Sequence, residues 1–124
     1  MQKALVVDDS RAIRNILCKT LVEHGFEVCQ AVNGRDALET LEREYPNICL
    51  VLADWNMPEM DGLSFVKNMR ADTRFASVMV MMVTTETHME QMTAALMAGA
   101  NEYVMKPFTG EIIADKLRLL GVLQ

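Results

Sequence analysis

The sequence predicts an α/β fold: five parallel strands alternating with five helices in (βα)5 order, a doubly wound sheet with helices on both faces. Three observations predict it. Short apolar runs alternate with amphipathic stretches along the whole chain. The runs, such as Ala4-Leu5-Val6-Val7, are continuously apolar rather than alternating, as strands buried on both faces require. A helix-spaced stretch follows every run, and that order calls for a parallel sheet joined by right-handed crossovers.

The first apolar run stops at Asp8-Asp9, where Ser10 can cap a helix carrying Ile13, Ile16, Leu17 and Leu21, with Gly25 as its stop. Phe26 to Val32 reads as the second strand. Asn33-Gly34 reads as a turn, and Ala37, Leu38 and Leu41 mark a second helix that ends before Pro46. Ile48 to Ala53 is the third strand, ending at Asp54. After the loop Asn56 to Met60, Asp61 can cap a third helix bearing Leu63, Val66 and Met69. Val78 to Val83 is the fourth strand, ending at Thr84. Thr87 with Glu90 three residues on has the form of a capping box for a fourth helix running through Met92 and Leu96 to Gly99. Tyr103 to Met105 is a short fifth strand ending at Lys106-Pro107, and a last helix after Thr109 carries Ile113, Leu117 and Leu120.

Composition excludes several function classes. The 124 residues are 51% hydrophobic and 23% charged, enough apolar surface for a core and against disorder. Twelve Lys and Arg stand against 17 Asp and Glu, a net charge of −5, so no basic footprint for nucleic acid is expected. No apolar run approaches the ~20 residues of a membrane span, and the N-terminus lacks the pattern of a signal peptide. Cys18, Cys29 and Cys49 form no CxxC pair, and with His24 and His88 they make no metal set. They are expected as small buried hydrophobes in a reducing, cytoplasmic setting. The eleven methionines should mostly fill core gaps, with Met89 and Met92 as candidates for a surface that meets a partner.

Ligands of open α/β sheets bind beyond the carboxyl ends of the strands. Here those ends are Asp8-Asp9, Asp54, Thr84 and Lys106. Asp8-Asp9 alone would also suit an ordinary helix N-terminus, and Thr84 alone a strand end. Together, three carboxylates on one rim repel one another and call for a cation. A hard divalent ion such as Mg2+ suits one or two carboxylates with water and a phosphoryl oxygen. Asp9 and Asp54 are the candidate direct ligands, Asp8 acts through a water, and the backbone carbonyl of Asn56 can complete the set. Lys106 supplies a permanent positive charge opposite the acids. Such a site accepts a phosphoryl group on a carboxylate, with cation and ammonium neutralising the transferred oxygens. Asp54 stands alone at a central strand facing Thr84 and Lys106, so it is the expected phosphoacceptor. Trp55 beside it is expected to be partly exposed and to report on binding through its emission.

The residues Val6-Val7-Asp8-Asp9-Ser10, Asp54-Trp55-Asn56-Met57-Pro58 with Asp61-Gly62, Val83-Thr84, and Tyr103 with Lys106-Pro107-Phe108 resemble the receiver domains of two-component response regulators. Among these the chain is most similar to the single-domain, chemotaxis-type regulators, over essentially its whole length. The resemblance implies the flavodoxin-like strand order 2-1-3-4-5 and one receiver domain over residues 1–124 with no output domain. It implies a histidine kinase as phosphodonor to Asp54, with Asp8 and Asp9 holding Mg2+ beside it. Thr84 and Lys106 would contact the phosphoryl group, Tyr103 would follow Thr84 from a solvent-facing to a buried rotamer, and Lys106-Pro107 would be cis. Asn56 and Glu86 fall at the two positions that tune phosphate lifetime. The chain would catalyse only its own phosphorylation and dephosphorylation. It would act as a cytoplasmic monomer whose helix 4, strand 5 and helix 5 face controls binding to a downstream protein, such as a motor switch protein in chemotaxis or motility. The first turn of helix 4 reads His88-Met89-Glu90 where motor-binding relatives carry lysines, which leaves a phosphorelay intermediate or phosphate sink as the alternative output. Two other classes fit less well. An aspartate-dependent phosphatase needs a second acid two residues after its nucleophile, where this chain has Asn56. A flavodoxin-like cofactor binder needs a phosphate cradle after strand one, where this chain has two acids.

Overall fold

The computed structural model describes residues 2–123. The elements run β1 (Lys3–Val7), α1 (Arg11–Glu23), β2 (Glu27–Ala31), α2 (Gly34–Glu44), β3 (Ile48–Ala53), α3 (Gly62–Arg70), a 3-10 turn (Thr73–Phe75), β4 (Met79–Thr84), α4 (Met89–Ala98), β5 (Glu102–Met105) and α5 (Gly110–Leu119). All neighbouring strands pair in parallel, in the order β2-β1-β3-β4-β5 expected from the resemblance.

Because strand side chains alternate, each strand contributes to two cores. Leu5, Val7, Val51, Ala53, Val80 and Met82 face one side, against Ala37 and Leu41 of α2, Phe65 and Met69 of α3, and Ala95 of α4. Ala4, Val6, Leu50, Leu52, Met81 and Val83 face the other, against Leu17 and Leu21 of α1 and Ile113 and Leu117 of α5. The chain reverses its direction across the sheet between β1 and β3, so a crevice opens at their carboxyl ends.

Helix starts follow their caps. The Ser10 hydroxyl accepts from Ile13 N–H at 3.3 Å and Asp61 Oδ1 from Ser64 N–H at 2.8 Å, both as expected, and Thr109 Oγ1 caps the last helix by accepting from Ile112 N–H at 3.1 Å. Several expectations need correction. Asn33-Gly34 is a helix start and no separate turn: the Asn33 side chain caps α2 by accepting from Asp36 N–H at 2.8 Å. Thr87 caps nothing; α4 begins one residue later behind His88, which makes no side-chain cap bond. The second strand is shorter than Phe26 to Val32, because the Phe26 N–H donates to the Leu21 carbonyl of α1 at 3.0 Å and the Val32 N–H to Asp36 Oδ2 at 3.0 Å, not to a neighbouring strand. Ile16 and Leu96 lie on exposed helix faces rather than in the core. The three thiols are only partly buried, because each sits at the border of a core cluster. The 3-10 turn, which buries Phe75, has no periodicity long enough to read from sequence. Lys106-Pro107 is cis as expected, and Tyr45-Pro46 is cis too.

Candidate functional site

Strand pairing carries four side chains to one rim. Val7 lies opposite Ala53, and the Asp54 N–H donates to the Val7 carbonyl at 3.0 Å, so Asp8 and Asp54 leave the sheet side by side. Thr84 lies opposite Met105, and Lys106 N–H donates to the Thr84 carbonyl at 2.9 Å. Gly62 is required here: a Cβ at this position would drive into the Asp54 carbonyl.

Asp8, Asp9 and Asp54 each place a carboxylate oxygen within 4.8 Å of the others. Lys106 Nζ donates to Asp8 Oδ2 at 2.9 Å and to Asp54 Oδ2 at 3.3 Å. The remaining oxygen of each buried acid is also held: Asp8 Oδ1 accepts from Ser10 N–H at 2.8 Å and Asp54 Oδ1 from Trp55 N–H at 2.7 Å. Asp9 is exposed, so the cluster opens to solvent on its side. Burial works to lower the Lys106 pKa, but its hydrogen bond to Asp8 and the charges of Asp54 and Asp8 outweigh that, and the ammonium is held above the ordinary lysine range. Three hard oxygen donors converging on one opening suit Mg2+, which binds through carboxylates while keeping several waters.

A second set of contacts ties the rim to the loop that precedes α4. Thr84 is fully buried, and its Oγ1 accepts from the Glu86 N–H at 3.3 Å. The Tyr103 hydroxyl donates to the Glu86 carbonyl at 3.0 Å, and the ring is only 7% exposed. Tyr103 thus lies inward, and burial, then the charges of Glu86 and Asp54, pushes its phenol upward. The Glu86 carboxylate in turn accepts from Asn56 Nδ2 at 3.0 Å, so the two expected lifetime-tuning positions touch each other across the mouth. Trp55 is half-buried beside Asp54, as expected.

The structure brings together Asp8, Asp9, Asp54 and Lys106, and separately Thr84, Tyr103, Glu86 and Asn56. It splits the methionine pair: Met92 packs against the core while Met89 is exposed. The exposed apolar residues nearby are Met89, Leu96 and Met97 of α4, Met105 after Val104 on β5, and Ile112 of α5. One site neighbour escaped sequence reading. Arg14 Nη1 donates to the Asp8 carbonyl at 2.8 Å. Its signal was position: first-turn helix side chains lean toward the helix N-terminus, here over the Asp8–Ser10 turn.

Comparison with known proteins agrees with this architecture. A response regulator receiver domain model matches residues 4–118. The chemotaxis protein CheY1 of Helicobacter pylori is 44% identical over 119 residues, covering 95% of each chain. The solved chemotaxis protein CheY4 of Vibrio cholerae superposes with a TM-score of 0.89 at 35% identity, over 96% of this chain and 98% of that one. The CheX–CheY–BeF3–Mg2+ complex of Borrelia burgdorferi gives a TM-score of 0.90 at 27% identity, over 98% of this chain and 90% of that one.

Proposed function

The chain belongs to the response regulator receiver domain family, and from that premise we propose that it is a single-domain phosphorylation switch with Asp54 as its phosphoacceptor. Receivers of this family use Mg2+, take phosphoryl groups from histidine kinases and serve two-component signalling rather than classical enzyme turnover. The observation that carries the assignment of Asp54 is the Lys106 ammonium shared between Asp54 and Asp8 at a rim that also holds Asp9.

In this reading a carboxylate oxygen of Asp54 attacks the phosphorus of a phosphohistidine. The P–O bond forms as the P–N bond breaks, and the imidazole leaves with its electron pair. Asp9 and Asp54 would hold Mg2+ directly, with Asp8 through a water and the Asn56 carbonyl completing the set, and the ion would supply positive charge against the transferred oxygens. Lys106 moves from Asp8 toward the new phosphoryl oxygens. Thr84 then trades its bond from the Glu86 N–H for one to the phosphoryl group. Because Glu86 also carries the Tyr103 contact, that exchange biases the β4–α4 loop and the α4-β5-α5 face. Asn56 and Glu86, bonded to each other, meter the water that hydrolyses the acyl phosphate. The exposed Met89, Met97 and Met105 offer a deformable apolar surface to a downstream protein, in chemotaxis or motility signalling. The chain works as a cytoplasmic monomer.

Two measurements test this. Incubation with acetyl phosphate and Mg2+ should give acid-stable, base-labile labelling that Asp54→Asn abolishes; labelling that survives in Asp54→Asn refutes the phosphoacceptor. A pull-down with and without beryllofluoride should show a partner whose capture changes; an identical set of captured proteins refutes the switch.

A further inference from the structure

One guanidinium at the site is unused by the reading above. Arg14 sits in the first turn of α1, with Nη1 on the Asp8 carbonyl at 2.8 Å and Nε on Gln30 Oε1 of β2 at 3.0 Å. Every other polar group of Asp8 is also engaged. Its N–H donates to the Ala31 carbonyl at 3.2 Å, Oδ1 accepts from Ser10 and Oδ2 from Lys106. The Asp8 carbonyl belongs to the same rigid peptide plane as the Asp9 nitrogen. Holding that oxygen therefore sets the direction in which Asp9 leaves the strand end. Among the described residues the Asp9 carboxylate accepts no hydrogen bond, so only its backbone aims it at Asp8 and Asp54.

We propose that Arg14 is a positioning residue for divalent-cation binding: it pins the Asp8–Asp9 peptide plane so that the Asp9 carboxylate converges on the cation, and Gln30 orients the guanidinium for that task. The inference rests on Asp8, Asp9 and Asp54 forming the Mg2+ site. Charge and geometry predict opposite signs here. As a mere cation beside three acids, Arg14 competes with Mg2+, and removing it would tighten binding. As a positioning group, its removal loosens the ligand set and weakens binding, as loss of partners behind metal ligands generally does.

The experiment is a Mg2+ titration of the full chain, read by Trp55 emission and independently by calorimetry, on wild type, Arg14→Ala, Arg14→Lys and Gln30→Ala. Melting temperatures without Mg2+ accompany each. The expected result is a Kd about tenfold weaker in Arg14→Ala. Arg14→Lys should also be weaker, because a point ammonium cannot reproduce the planar fork on two acceptors. Gln30→Ala should weaken binding by a smaller factor, and none of these losses should scale with the change in melting temperature. Unchanged or tighter binding in Arg14→Ala overturns the proposal. Should that variant not fold, wild-type affinity in both Arg14→Lys and Gln30→Ala overturns it. A wild-type chain that takes up no Mg2+ overturns the metal site itself, and this inference with it.

Discussion

Lys106 answers two carboxylates at once, and its side chain is 13% exposed, so solvent does little of the neutralising. Deleting it leaves buried Asp8 and Asp54 without their counter-charge. Lys106→Ala should cost about 3 kcal/mol without Mg2+. Acetyl phosphate should still label it, but labelling should no longer alter partner binding; an intact phosphorylation-dependent interaction would refute that role. The raised pKa of Lys106 sets a pH window. Its contribution is fully present below the unfolded lysine value and is lost only as pH rises through the higher folded one. Melting temperature should therefore lose this contribution only in strong alkali, and Lys106→Ala should lack that step. Asp9 predicts the opposite sign. It adds a like charge within 4.8 Å of two others. Asp9→Asn should stabilise the metal-free chain by about 1 kcal/mol, the repulsion of two unit charges at that range in a water-like medium. Calorimetry should find that stabilisation together with a loss of Mg2+ affinity; a less stable Asp9→Asn would contradict it.

Helix α4 is fastened unequally. At its C-terminal end the Gly99 carbonyl accepts from Arg70 Nε at 3.1 Å, and the same guanidinium reaches the Phe75 carbonyl at 2.8 Å. At its start His88 provides no side-chain cap, and His88, Met89 and Glu90 are exposed. The end nearest Glu86 is thus the easier one to displace. His88→Ser should add a cap worth about 1 kcal/mol, visible as a higher melting temperature, and an unchanged melt would mean this turn is not a weak point. Periodicity showed where α4 lies but misjudged its start and its inward face. Thr87 and Glu90 have the spacing of a capping box, yet the backbone enters the helix one residue later. Capping depends on the loop's approach, and that loop is held by bonds of its own Glu86, from the backbone N–H to Thr84 at the end of β4 and at the carbonyl from Tyr103 of β5. Asn33 was misjudged for a related reason: Asn-Gly suits a tight turn and a helix cap equally, and here Gly34 packs directly under Met60.

Across the whole molecule, the cation site and the fold are thermodynamically linked. A ligand that binds only the folded chain stabilises it by about 2.7 kcal/mol at a concentration a hundred times its Kd. Mg2+ should raise the melting temperature of wild type but not of Asp54→Asn by a comparable amount; equal shifts would place the ion elsewhere. The two-faced core carries the rest. Leu50, fully buried at the sheet centre, should cost about 2–5 kcal/mol on replacement by Ala, measured by denaturant unfolding.

Strand number, strand polarity and the rim residues Asp8, Asp9, Asp54, Thr84 and Lys106 were legible in the sequence by itself. Continuous apolar runs of strand length, each followed by a helix-spaced stretch, fit doubly buried strands, and an acid or hydroxyl that ends such a run falls at the sheet's edge. What the runs could not reveal is which face each helix covers, since both faces are equally apolar, nor the inward setting of Tyr103, the Glu86 contacts and the grip of Arg14 on Asp8. Those depend on atoms distant along the chain meeting at angles set by twist, register and the reversal between β1 and β3. No local pattern encodes them, because each partner alone is an ordinary polar residue, and only folding determines which of its possible hydrogen bonds is made.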